Sequence, residues 1–223
     1  MSKREKKIGQ ITILAIMAGG LLVGLLTLNT APVAEAHVVP VTCDFTTGGG
    51  FVYNDDGSKV NFGLVAGCKN GGFFGHVNVV NHDTTGMFAG LHISSDKITG
   101  YLDPCRNNVC GSPPPTYRDI CGTANTNLFG PVFFRVRTFD GGEPGSGPNG
   151  PDRFGIKICQ KQMDGTLACS VYASPQDGGP WLPTRFLQGG NIQLHKNNPS
   201  TFYNGPTDEG TLCNGVFDDG LGF

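Results

Sequence analysis

Val132, Phe134, Val136 and Thr138 alternate along the chain with Phe133, Arg135, Arg137 and Phe139. Phe154, Ile156 and Ile158 alternate in the same way with Arg153, Gly155 and Lys157. Successive side chains of a strand point to opposite sides of the pleat, so a two-residue apolar period marks a half-buried strand. The pattern predicts two neighbouring strands whose arginines and Lys157 line a wet face. Between them, residues 140–152 are too rich in Gly and Pro for anything but a loop. The same period predicts further strands over 45–53, 60–67, 73–81, 87–93, 97–102, 116–123, 167–173 and 190–196. Asp55-Asp56-Gly57, Lys69-Asn70-Gly71-Gly72, residues 82–86 and Met163-Asp164-Gly165 supply turns between them. No stretch after residue 36 holds a 3.6-residue apolar period. The expected fold is all-β: a single β-sandwich or barrel of about ten short antiparallel strands.

The first 36 residues follow a different pattern. Lys3, Arg4, Lys6 and Lys7 precede a nearly all-apolar run from Ile8 to Leu28, and Ala34-Glu35-Ala36 follows. Charged start, apolar middle and small-x-small close form the pattern of a secretory signal peptide, cut after Ala36. About 20 apolar residues can also span a bilayer, so an uncleaved segment would act as a membrane anchor. The expected organisation is a signal peptide over 1–36 and one secreted β domain over 37–223, with a core over 43–196 and a disulfide-tethered tail over 197–223. Export places the protein in the extracellular space.

Removing residues 1–36 leaves 12 basic against 16 acidic residues, a net charge of −4. The remainder has no Lys/Arg cluster, and this argues against nucleic acid as a partner. The eight cysteines, Cys43, Cys68, Cys105, Cys110, Cys121, Cys159, Cys169 and Cys213, include no Cys-x-x-Cys pair. In an exported chain they read as a framework of four disulfides rather than metal thiolates. Cys159 and Cys169 sit at equal offsets of five about Asp164, so antiparallel strands bring them face to face as a bridge. Cys43 and Cys68 flank the turn at residues 55–57 and are expected to pair by the same count.

Several segments in order carry a family resemblance: Thr47-Gly-Gly-Gly-Phe51, Lys59-Val-Asn-Phe-Gly63, residues 71–78 with Asn81-His82, Gly122-Thr-Ala124, residues 140–145, residues 152–158, and Gly189-Gly-Asn-Ile-Gln-Leu-His195. Together they resemble the β-rich domain found downstream of choice-of-anchor P modules in exported microbial proteins, the post-choice-of-anchor domain. The resemblance spans about residues 43–196. It implies an extracellular all-β module and carries over no catalytic residue. The chain departs from the pattern in lacking a partner module and in a longer insertion between Cys105 and Cys121.

Gly-x-Ser-x-Gly, His-Glu-x-x-His and the P-loop are all absent from the sequence. Three chemistries remain. Cleavage after Ala36 would make His37 N-terminal, where its amine and ring resemble the copper anchor of lytic polysaccharide monooxygenases. His76 and His195 are the candidate further ligands. His76 shares strand parity with His82, but about 20 Å of strand separates them unless the chain bends, whereas a metal needs nitrogens near 2 Å. The plainer reading makes these histidines polar strand and turn residues. Asp140, Glu143 and Asp152 cluster as calcium candidates without the spacing of a regular calcium loop, and a solvated turn between strands is the plainer reading. Trp181, between Pro180 and Pro183, is a candidate stacking platform for a carbohydrate-binding module. The expected function is a secreted, non-catalytic surface or extracellular-matrix module. Its partner would be an extracellular or cell-surface polymer, or a further copy of itself.

Overall fold

The computed structural model describes residues 39–40, 42–54, 56–104, 116–142, 150–172 and 185–216, all within the compact unit Ala36–Phe223. Among the described residues ten strands form one antiparallel sheet: β1 (Phe45–Tyr53), β2 (Lys59–Lys69), β3 (Gly72–Asn81), β4 (His92–Leu102), β5 (Thr116–Thr126), β6 (Gly130–Asp140), β7 (Arg153–Lys161), β8 (Leu167–Tyr172), β9 (Arg185–Phe186) and β10 (Gly189–His195). The first eight pair in sequence as a meander, β10 lies beside β1, and β9 pairs with β7. Among the described residues the single helix is α1 (Glu209–Leu212), capped by the Asp208 carboxylate accepting from Thr211 N.

The sheet curls on itself. Even positions of β2 and β7 point inward, and Phe62 stacks on Phe154 with ring centroids 4.0 Å apart although five strand steps separate them. Val60, Leu64, Val77, Ile93, Ile120 and Val136 fill the same fully enclosed interior. Residues 185–195 close the seam between the two sides of the sheet. Arg185 and Phe186 pair with Phe154 and Arg153, Leu187 N donates to Asp152 O, and Gln188 N donates to Phe51 O. β10 then runs along β1 from Phe51 back to Phe45. The backbones come close along this pairing. A Cβ on Gly190, which has φ +106°, would lie 2.1 Å from Gly49 O, so only glycine fits there.

Three disulfides tie the described residues. Cys43–Cys68 joins the entry of β1 to the end of β2, and Cys159–Cys169 joins residues directly opposite in β7 and β8. Cys121–Cys213 ties the C-terminal segment to β5 across a separation of 92 residues. Such bridges fit an oxidising environment. Cys105 and Cys110 lie outside the described residues, as do His37, Glu143 and Trp181.

Two expectations need correction. Residues 87–90 form a turn, and the strands expected over 87–93 and 97–102 are one strand, β4. Its register shifts at Ser95/Lys97 and at Ile98/Gly100, and those bulges break the two-residue alternation. The face expected to be wet on β6 and β7 is covered. Arg135 and Arg137 are 0% exposed and Lys157 is 6% exposed.

Candidate functional site

Two carboxylates hold the seam. Asp152 Oδ2 accepts from Ile192 N at 2.6 Å and its Oδ1 from Gly141 N at 2.9 Å. Asp140 Oδ2 accepts from Leu194 N at 2.7 Å and its Oδ1 from Gly142 N at 2.7 Å. Ile192 and Leu194 are alternate residues of β10, so their amides leave the edge that faces away from β1. The two side chains thus complete a strand pairing that backbone alone leaves open. The calcium candidates Asp140 and Asp152 have all four carboxylate oxygens committed to backbone amides. Replacing Asp152 with Ala is expected to destabilise the fold by about 2–3 kcal/mol, because buried amides lose a charged acceptor. Hydrogen exchange should show Ile192 and Gly141 as the residues whose protection falls most. Unchanged protection at Ile192 would show that the carboxylate does not hold β10.

The buried charges form two clusters on opposite sides of the sheet. Inside, Asp44 receives Arg118 Nη2 at 2.6 Å, Arg118 Nε at 3.1 Å and the Tyr101 hydroxyl at 2.8 Å. Burial and the neighbouring Asp44 charge push the Tyr101 hydroxyl well above the ordinary tyrosine value. Burial opposes the charge on Arg118, but the hydrogen bonds to Asp44 outweigh it and hold the guanidinium above its usual range. Outside, Asp119 Oδ2 accepts from Arg135 Nε at 3.0 Å and Nη2 at 2.5 Å, while Arg137 Nε reaches Asp119 Oδ1 at 2.6 Å. Arg135 Nη1 continues to Glu209 Oε1 at 2.6 Å and to Val216 O at 3.1 Å. The C-terminal segment therefore lies against Arg135 on this side of the sheet. Asp119 and Arg137 are direct cross-strand partners, a register that a linear reading of the sequence does not supply.

The described histidines do not converge. His195 and His76 lie on β10 and β3 with β1 and β2 between them and two residues out of register, a separation of about 16 Å at 4.8 Å per strand and 3.3 Å per residue. His195 stacks on Phe45 at 4.3 Å and its Nε2 hydrogen-bonds Thr47 Oγ1 at 2.7 Å. His76 Nδ1 meets Ser95 Oγ at 3.1 Å. His82 follows the end of β3 in a shallow polar recess between two turns, with Asp56, Ser58 and Asp83. Among the described residues no group of three His, Cys, Asp or Glu side chains could hold a metal ion.

The outer face of β10, β1, β2 and β3 is open and carries no carboxylate; its charged residues are Lys59 and Lys69 at the two ends of β2. In register across the strands lie Asn191, Gly49, Gly63 and Asn78, all partly exposed. On one side of this row stand Thr47 and Val65, on the other Phe51 and Asn61. The result is a trough with a glycine floor, crossing the strands for about 14 Å between flanking rows about 13 Å apart. Phe51 packs over Gly189 and under Lys59 Nζ, which is 4.2 Å from its ring centroid. No protein-family model, curated protein or solved structure matches the chain.

Proposed function

We propose that the chain is an exported, non-catalytic β module of the cell surface or extracellular matrix, which binds or assembles through its exposed faces, loops and strand edges. The observation that supports this most is the placement of the three bridges. They pin the first hairpin, the centre of the sheet and the β7–β8 hairpin, as a domain outside the reducing cytoplasm requires. The signal-peptide pattern of residues 1–36 and the resemblance to the post-choice-of-anchor domain point the same way. The buried ion pairs act within the scaffold, holding β1 to β5 and the C-terminal segment to β5 and β6. An exported sheet with a net charge of −4 resists self-association little, and strand edges offer unpaired backbone groups for addition. Light scattering on residues 37–223 over a concentration series should show association that grows with concentration. A monomer at every concentration would reject assembly through strand edges.

A further inference from the structure

We propose that the trough on the outer face of β10-β1-β2-β3 binds a neutral polysaccharide, laid across the strands on the floor formed by Gly49 and Gly63. The proposal rests on the reading of the chain as a binding module and names its ligand class. Three of the strands that build the trough are consecutive, 45–53, 59–69 and 72–81, and the fourth, 189–195, comes from the far end of the sheet's sequence.

The floor is the first argument. Glycine inside a strand weakens it by roughly 0.5–1 kcal/mol relative to alanine, so it needs a reason. At Gly190 the reason is the backbone itself. At Gly63 there is none, because the residue lacks a positive φ and a Cβ there would meet nothing within 4 Å. A glycine that neither the backbone nor a neighbour requires, on an open strand face, marks a place where something else comes close.

The rim chemistry selects what that is. Asn61, Asn78, Asn191 and Gln193 surround the floor, and each amide both donates and accepts. Vicinal sugar hydroxyls have the same double character. Asn78 uses its oxygen on His92 Nε2 at 3.1 Å, which leaves its NH2 group for a ligand. Asn61 Oδ1 is shielded from solvent and has no hydrogen-bond partner, so this amide gains by turning to a hydroxyl. The face has no carboxylate, and its lysines, Lys59 and Lys69, stand at the two ends of β2. A phosphate or uronate chain would call for cations along the trough, and a lipid would call for an apolar lining. An uncharged polyhydroxyl chain complements it.

The test is retention of the exported, processed protein on insoluble cellulose, chitin and xylan, with anionic alginate and cationic chitosan beads as charged probes. Retention on at least one neutral polymer that survives high salt is expected. Gly63→Ile fills the trough and adds a β-branched residue to a strand, so it should keep or raise the melting temperature while weakening retention at least about ten-fold. Asn61→Ala should weaken it about two- to ten-fold, the worth of one hydrogen bond. The proposal fails if no neutral polymer retains the protein, if only the charged beads do, or if Gly63→Ile binds like the parent. It also fails if Gly63→Ile turns an oligomer into a monomer, since a second copy would then be what covers the face. Light scattering on the parent protein judges assembly separately, so a failure here leaves the broader reading standing.

Discussion

Replacing Asp119 with alanine is expected to remove about 3–5 kcal/mol of stability, the largest effect of any single side chain outside the apolar core. Asp119 is 0% exposed and is the shared acceptor of Arg135 and Arg137, themselves 0% exposed. Its removal leaves two buried guanidinium groups without the carboxylate between them, and desolvated positive charge is costly when its partner is taken away. A domain commonly has only about 5–15 kcal/mol in total, so the variant should unfold at a much lower denaturant concentration. The consequence should spread to the C-terminal segment, because Arg135 also holds Glu209 and Val216 O. Equilibrium denaturation of the oxidised protein measures it. A change below about 1 kcal/mol, the range of a surface ion pair, would show that the cluster is hydrated and not buried.

Serine at both Cys121 and Cys213 is expected to cost about 4–5 kcal/mol, more than the loss of either other described bridge. A cross-link restricts the unfolded chain more when it closes a longer loop, and this one spans 92 residues against 25 for Cys43–Cys68 and 10 for Cys159–Cys169. It also seats the C-terminal segment. Leu212 packs in the core beside Gly100, its carbonyl accepts from Thr99 Oγ1 at 2.5 Å, and Cys213 is 0% exposed. Thermal melts of the three paired-serine variants should rank Cys121/Cys213 as the most damaging and Cys159/Cys169 as the least. An equal loss from the Cys159/Cys169 pair would show that loop length and the seating of the tail do not govern these bridges.

The strand with the clean alternation, β6, was legible from the chain alone, and β1, β3, β8 and β10 stand within one residue of the spans expected between the turns. The opposition of Cys159 and Cys169 was legible as well, because a short hairpin leaves the register almost no freedom. β4 was not, since each bulge shifts the inward set by one residue and splits a single strand into two apparent ones. The covered face of β6 was hidden for another reason. Arg135 and Arg137 look solvated in any local window; Asp119, which takes both, comes with the pairing of β5 and β6, and Glu209 reaches Arg135 from 74 residues later. The trough was not legible: Gly49, Gly63, Asn78 and Asn191 stand in separate segments, and only the pairing of β10, β1, β2 and β3 sets them side by side. Asp140 and Asp152 read as calcium candidates because a cluster of carboxylates looks the same in sequence whether it meets a cation or the amides of an unpaired edge.

The exported, bridge-braced module is tested most directly by the intact mass of the product that a host expressing all 223 residues sends out of the cell, taken under non-reducing conditions. The predicted species begins at His37 and, with its eight cysteines in four bridges, is eight hydrogens lighter than the reduced chain of residues 37–223. A product that stays in the cytoplasm, begins at Met1 or has the mass of the fully reduced chain would contradict the account.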